Sequence, residues 1–92
     1  MAYTTIKKPS DYFNTKLYTG NGSTQSITGV GFQPDFTWIK DRTTGFDHPL
    51  FDAVRGATKM INSNQTYAES TQSTGLTSFD SDGFTLGNAT GN

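Results

Sequence analysis

Ninety-two residues with a formal net charge of −1 and no cysteine indicate one small domain without disulfides or thiolate metal sites. The near-neutral charge argues against nucleic-acid binding, which needs a basic face. No apolar run approaches the ~20 residues of a membrane-spanning helix, and none forms a secretory signal.

The chain begins with a polar lead-in, residues 1–12, in which Pro9 disfavours helix for the residue before it. From Phe13 to Thr19, every second residue is apolar or Thr, which predicts a strand. The next residues, Gly20-Asn21-Gly22-Ser23, carry the Asn-Gly pair typical of hairpin turns. Residues 24–28 therefore are expected to form the return strand.

The most apolar segment begins at Pro34. Along it Phe36, Trp38 and Lys40 alternate with Thr37, Ile39 and Asp41. Because large apolar residues occur in both sets, we predict a central strand that is covered on both faces. Phe36 and Trp38 are then expected to lie in the core. A Trp in such a strand is more often a core residue than a sugar-stacking platform.

The second half of the sequence predicts further short strands separated by turns. Residues 46–54 are a predicted strand with Pro49 at its start or at an edge. Residues 57–61 are compatible with a strand or a helical turn, and residues 67–70 with a short strand. Two further predicted strands, residues 76–79 and 84–86, form a hairpin through Asp80-Ser81-Asp82-Gly83, with positive φ expected at Gly83.

This pattern predicts an all-β fold, a small antiparallel β-sandwich or partial barrel of about six short strands. Its β domain covers residues 13–86, and residues 87–92 form a Gly/Asn linker-like end. Only 17 residues are Leu, Ile, Val or Phe, although seven Phe, four Tyr and one Trp are present. A core this thin, built mainly on rings, predicts that the domain depends on an oligomer mate or on more of its own chain.

Several polar residues invite a catalytic or metal-binding interpretation. His48 has Asp47 and Asp52 as neighbours, but no nucleophile elbow accompanies them, so no triad is expected. Glu69 paired with an aspartate would be a glycosidase only within a substrate cleft. The Asp80–Gly83 stretch lacks the other ligands of a calcium loop, and a hairpin turn explains it. We therefore expect no catalysis, no metal and no cofactor.

Four blocks of the sequence are recognisable. The longest runs from Tyr18 to Lys40 (YTGNGSTQSITGVGFQPDFTWIK), and further blocks lie at residues 1–13, 50–59 and 75–87. These blocks resemble a module found in tail fibre and other virion structural proteins of marine bacteriophages, a lectin-like or LamG-like β module. Together they cover roughly residues 1–88 in the same order. In the family the module continues past a Gly/Asn-rich stretch into a closing strand, so the resemblance implies a portion of a longer fibre protein.

The resemblance implies a structural component of the virion, made in the host cytoplasm, that attaches to other virion proteins of the tail or near the portal. Fibres of this kind are commonly trimeric, so it also implies a homotrimer. The apolar residues of the lead-in are the candidates for the assembly interface: Tyr3, Ile6, Tyr12 and Phe13. The alternative function is a carbohydrate-binding module that recognises a host surface glycan.

Overall fold

The structure, a computed structural model, describes residues 9–89. In this range the chain forms one short 3-10 turn and seven strands: the turn Pro9–Asp11, β1 (Gln25–Ile27), β2 (Phe36–Trp38), β3 (Pro49–Asp52), β4 (Gly56–Asn62), β5 (Ser70–Thr71), β6 (Leu76–Asp80) and β7 (Gly83–Leu86). The strands form two antiparallel sheets, one with the order β1-β7-β6 and one with the order β2-β3-β4-β5. The predicted all-β sandwich is thereby confirmed.

The two sheets meet where β4 packs beside β6, and the core lies between them. Phe51 of β3, Leu76 of β6 and Leu86 of β7 are fully buried, and Ile27 and Phe84 complete the cluster. Each such side chain contributes roughly 1.5–3 kcal/mol by leaving water. Five half-buried residues pack around them: Tyr18, Ile39, Ala57, Met60 and Phe79.

The hairpin of β6 and β7 forms as predicted, but Gly83 has a different role from the one expected. Asp80 pairs with Gly83 across a two-residue turn, and φ is not positive at Gly83. Instead, a Cβ atom on Gly83 would lie 1.8 Å from the carbonyl oxygen of Ile27. Glycine is needed here because the backbone at the end of β1 approaches this residue too closely for any side chain.

The strand predicted for residues 13–19 does not form. This segment has no ladder partner within residues 9–89, and β1 pairs with β7 instead of returning along it. The alternating residues that suggested a buried stripe are on the exposed side, with Phe13 and Leu17 76% and 72% exposed. Tyr18, of the opposite parity, contacts the core. The Asn21-Gly22 turn is present, with φ of 65° at Gly22 and a hydrogen bond from Ser23 N to Asn21 Oδ1.

The prediction that Phe36 and Trp38 belong to a central strand in the core is wrong. β2 is only three residues long and is the edge of its sheet, whose inner strands are β3 and β4. Phe36 and Trp38 are 58% and 63% exposed, and Thr37 between them is buried. Only one face of this short strand packs on the core, and that face carries Thr37. Phe36 and Trp38 lie on the other face, which is exposed to solvent.

The remaining segments are close to their predictions. Pro49 begins β3, where its missing N–H disturbs the ladder least. The ambiguous residues 57–61 belong to β4, the longest strand among the described residues. The strand expected at residues 67–70 is displaced to Ser70–Thr71.

Candidate interaction surface

More large apolar side chains are exposed than buried in the described part of the chain. Six apolar residues are buried, namely Ile27, Val30, Phe51, Leu76, Phe84 and Leu86. Eight large ones are exposed: Tyr12, Phe13, Leu17, Phe36, Trp38, Phe46, Val54 and Tyr67. Single exposed apolar residues are ordinary, but groups of them usually mark an interface. Two groups stand out, one along residues 12–17 and one on β2.

The β2 group lies on the outer face of the four-stranded sheet. Phe36 and Trp38 are two residues apart, so their side chains leave the same face of the strand. Trp38 is paired with Leu50 of β3, which is in turn paired with Ile61 of β4. Leu50 and Ile61 are half-buried. The four side chains therefore form an apolar band across three strands, which we call the outer band.

Trp38 is held in place at the polar end of the outer band. Its indole Nε1 donates a hydrogen bond to Ser63 Oγ at 3.1 Å. Ser63 N in turn donates to the carbonyl oxygen of His48 at 3.0 Å. The edge of the ring that carries Nε1 is thus fixed by a directional bond, which is typical of a Trp with an apolar body and a polar tip.

An ion-pair network lies at the opposite end of the outer band. Arg55 Nε contacts Asp52 Oδ2 at 2.5 Å, and Arg55 Nη1 contacts Glu69 Oε1 at 3.1 Å. The backbone N–H of Arg55, followed by its guanidinium, lowers the pKa of Asp52. The hydrogen bond that Arg55 donates to Asp52, ahead of the one that it donates to Glu69, raises the pKa of Arg55. These groups close the turn between β3 and β4 and give the band a charged rim.

The lead-in residues form the second apolar group. Tyr12 and Phe13 directly follow the 3-10 turn, where both backbone N–H groups donate to Pro9 O, and they are 67% and 76% exposed. Asn14 Nδ2 donates to Val30 O at 3.1 Å and ties the segment to the domain. Of the predicted interface residues, Tyr3 and Ile6 lie outside the described residues.

Asp82 fixes the loop that leads from β1 toward β2. Its carboxylate accepts hydrogen bonds from Gly29 N at 2.9 Å and Gly31 N at 2.7 Å. The carbonyl oxygen of Asp82 accepts a third from Val30 N at 3.1 Å. The bonds from Gly31 and Gly29, and then the charge of Lys16, lower the pKa of Asp82. The Asp82 side chain thereby holds the loop after β1 against the turn between β6 and β7.

The geometry brings together neither the calcium ligands nor the catalytic residues considered from the sequence. Asp80 accepts hydrogen bonds from the hydroxyls of Ser78 and Thr85, so its carboxylate has different partners from that of Asp82. Within residues 9–89 no three metal-ligating side chains form a group. The carboxylate of Asp47, which precedes His48 in sequence, accepts from the amides of Asn64 and Gln65, and that of Asp52 binds Arg55.

Two depressions flank the sheets. A cleft of about 210 Å³ is lined chiefly by Ile39, Phe46, Phe51 and Met60. A wider groove of about 640 Å³ lies between residues 16–22 and 39–43. At its floor, hydrogen bonds from the Thr44 hydroxyl and Thr43 N–H strongly lower the pKa of Asp41. Burial, together with the charge of Asp41, raises the pKa of Tyr18. The Asp41 carboxylate thus accepts its hydrogen bonds from residues of its own loop, Thr43 and Thr44.

Sequence reasoning missed β2 as an exposed edge, although one signal was present. Pro34 lies just before the strand, and proline is concentrated at sheet edges and strand starts.

Comparison with known proteins places residues 8–92 in a single family, DUF7483, a domain of unknown function. The match spans nearly the whole chain, so the protein belongs to this family. No curated protein and no solved structure matches the chain significantly. Residues 9–89 also contain no helix that is long and apolar enough to cross a membrane.

Proposed function

We propose that this DUF7483 domain is a non-enzymatic assembly module of a tailed bacterial virus, positioned at the start of a tail fibre or similar appendage. The observation that carries the proposal is the inverted balance of apolar residues, with eight large ones exposed and six buried among residues 9–89. A domain that leaves this much apolar surface uncovered is expected to gain stability from a partner.

Two features support assembly over chemistry. The exposed apolar residues fall into groups, on residues 12–17 and on β2, as interface residues do. The two carboxylates nearest the single histidine in sequence, Asp47 and Asp52, are bound to amides and to Arg55 respectively. The virion setting is supported by the sequence resemblance alone, which points to sister chains and to other tail or portal-proximal proteins as partners. The number of three copies is an analogy with fibres of that kind.

The mass of the full chain in solution tests the assembly part of this proposal. We expect sedimentation velocity to detect an oligomer whose population rises with concentration. The triple variant Tyr12→Ser/Phe13→Ser/Leu17→Ser should weaken it if the lead-in group takes part. The matched control is Val54→Ser/Tyr67→Ser, which removes exposed apolar groups elsewhere. A chain that stays monomeric at every concentration would overturn self-assembly.

Localisation on the particle tests the viral part. Immunogold electron microscopy with an antibody to this domain should label the tail or another appendage of particles that encode it. Label on the capsid shell, or no label on intact particles that have incorporated the other tail proteins, would contradict the proposed position.

The second candidate function is carbohydrate binding, which the exposure of Phe36 and Trp38 favours. Aromatic rings that face solvent beside polar groups such as Ser63 and Arg55 are suited to stacking on sugar rings. Because Trp38 is the single tryptophan, its fluorescence can be followed during titration with bacterial surface polysaccharides. Saturable quenching that is lost in Trp38→Ala and kept in Phe46→Ala would favour this function. Unchanged emission with all polysaccharides would exclude it.

A further inference from the structure

The segment before β1, residues 14–19, lies alongside that strand without joining its sheet. At the start of this segment, Asn14 Nδ2 donates a hydrogen bond to Val30 O at 3.1 Å. At its end, the carbonyl oxygen of Thr19 accepts one from Gln25 Nε2 at 3.2 Å. The two contacts run in opposite directions along the two stretches of chain. The segment is therefore antiparallel to β1, and we call it the strap.

Every described hydrogen bond between the strap and β1 or the loop after it involves a side chain. Among residues 9–89, no backbone–backbone hydrogen bond joins these parts of the chain. Two further side chains hold the strap. The Tyr18 ring packs against the core cluster. The Lys16 side chain reaches the loop after β1, where its Nζ lies 3.0 Å from the position that a Cβ atom on Gly29 would occupy.

This kind of attachment predicts low local stability. A hydrogen bond between neutral groups changes an equilibrium constant by roughly two- to tenfold, and the strap has two such bonds where a paired strand has a ladder. Its surface is also largely open to solvent, with Leu17 72% exposed. Segments with few backbone bonds and much exposed surface open locally more often than the whole domain unfolds.

We infer that the strap detaches from β1 in a local opening while both sheets stay folded, and thereby controls access to this strand. Within residues 9–89, β1 has a single ladder neighbour, β7. When the strap is detached, an edge strand and the part of the core that Tyr18 covers become accessible. An uncovered edge strand is able to pair with another strand. When the strap is docked, this access is reduced.

This inference goes beyond the proposed assembly function and does not depend on it. The opening takes place within one chain, so a monomer shows it as fully as an oligomer. Leu17, one of the exposed apolar residues near the start of the chain, belongs to the strap. The opening therefore also moves part of that apolar group relative to the sheets.

Limited proteolysis with trypsin measures the opening, because a protease cleaves a segment that has left the fold. We compare the initial rates of cleavage after Lys16 in the strap and after Lys59 in β4, which is protected by its sheet. Cleavage after Lys16 should be at least roughly tenfold faster than after Lys59, and at least roughly tenfold slower than in a free peptide of residues 9–24. A rate equal to that of Lys59 would show that the strap opens only when the domain unfolds. A rate equal to that of the peptide would show that it does not dock. Either result overturns the inference.

Removal of the two side-chain bonds tests what holds the strap. Asn14→Ala/Gln25→Ala should raise the rate of cleavage after Lys16 roughly tenfold and leave the rate after Lys59 unchanged. The matched control is Gln33→Ala, which removes the same kind of bond elsewhere, from Gln33 Nε2 to Phe79 O at 3.2 Å. If the control raised cleavage after Lys16 as much as the double variant, the two bonds would not hold the strap.

The Tyr18 ring provides the second test. Tyr18→Ser removes the contact of the strap with the core cluster and should raise cleavage after Lys16 more than the loss of the two amides does, since a ring buries much apolar surface. Tyr18→Phe keeps the ring and should be cleaved at nearly the wild-type rate. If Tyr18→Ser raised the rates after Lys16 and Lys59 by the same factor, the ring would stabilise the whole domain and not the strap, and the inference would be wrong.

Discussion

Gly83 lies directly beneath Ile27, so close that a Cβ atom on the glycine would be 1.8 Å from the isoleucine's carbonyl oxygen and 2.9 Å from its carbonyl carbon. The end of β1 and the beginning of β7 are thus in direct backbone contact. The three atoms nearest to the added Cβ all belong to the backbone of Ile27 and Thr28, so no flexible side chain can move aside to make room.

Replacing Gly83 should therefore destabilise the domain strongly. Gly83→Ala has to displace β1 from the hairpin, at a cost of about 3 kcal/mol or more, and Gly83→Val should cost more still. A domain of this size has roughly 5–15 kcal/mol in total. Gly45→Ala is the matched control, since no atom lies within 4 Å of its added Cβ. Urea unfolding measures both, and similar midpoints would contradict the close approach.

Gly22 should respond to substitution for a different reason. Its φ is +65°, and a Cβ there meets nothing within 4 Å, so only backbone strain opposes a side chain. Gly22→Val should cost about 1–2 kcal/mol. Gly22→Asn should cost less, because asparagine tolerates this conformation better. Thermal melting that ranks the two variants the other way would contradict the turn geometry.

Trp38→Ala should leave the fold nearly unchanged. The ring is 63% exposed, and surface substitutions usually change stability by about 0.5 kcal/mol or less. Phe51→Ala removes a fully buried ring and should cost about 3–5 kcal/mol, enough to unfold much of the protein. Chemical denaturation of the two variants side by side measures the contrast. Unfolding of Trp38→Ala would contradict the exposed position of the Trp38 ring.

Asp82 should make the stability of the domain sensitive to acid. Hydrogen bonds from Gly31 and Gly29 lower its pKa in the folded state below the ordinary 3.8. The stability that the ionised Asp82 carboxylate gives to the fold is therefore complete above the pKa of this group in the unfolded chain. It is lost as the pH falls through the lower pKa of Asp82 in the folded state. Asp82→Asn should be less stable than the wild type at pH 7 and lose less of its stability between pH 7 and pH 2.

The control for this experiment is Asp35→Asn, which removes the same charge from a side chain that accepts no hydrogen bond within residues 9–89. Denaturant unfolding across the pH range should give it the acid dependence of the wild type. If Asp82→Asn and the wild type lost stability to the same extent as the pH fell, the hydrogen bonds from Gly29 and Gly31 to Asp82 would contribute nothing measurable to the stability of the fold.

The fold class and the β6–β7 hairpin were predictable because they depend on local signals. Alternating residues around Asp80–Gly83 specify both strands and the turn between them. The pairing of β1 was not predictable in the same way. Asn21-Gly22 signalled a local hairpin, but Gln25–Ile27 pairs with residues 84–86. Local periodicity carries no information about which distant strand is the partner.

The outer band was misjudged because apolarity alone does not distinguish a core strand from an edge strand whose apolar side chains are exposed. Trp38 and Phe36 have the residue types of a core and the position of a surface. Position within a sheet depends on the neighbours of a strand, which are set by the whole chain. Thr37 is the one buried residue of β2. The prediction for this residue was correct in one respect, since it placed Thr37 on the face opposite to Phe36 and Trp38.

The order of strands in the smaller sheet has a consequence for synthesis. Ser26 and Thr85 face one another across 59 positions of sequence, so β1 leaves the ribosome long before β7, its ladder partner, exists. The meander from β2 to β5 has neighbours close in sequence and can form while translation continues. β1 must wait, because closing so long a loop costs more chain entropy than pairing strands that are close in sequence. Until then its exposed backbone is a site at which a chaperone or a misdirected strand can bind.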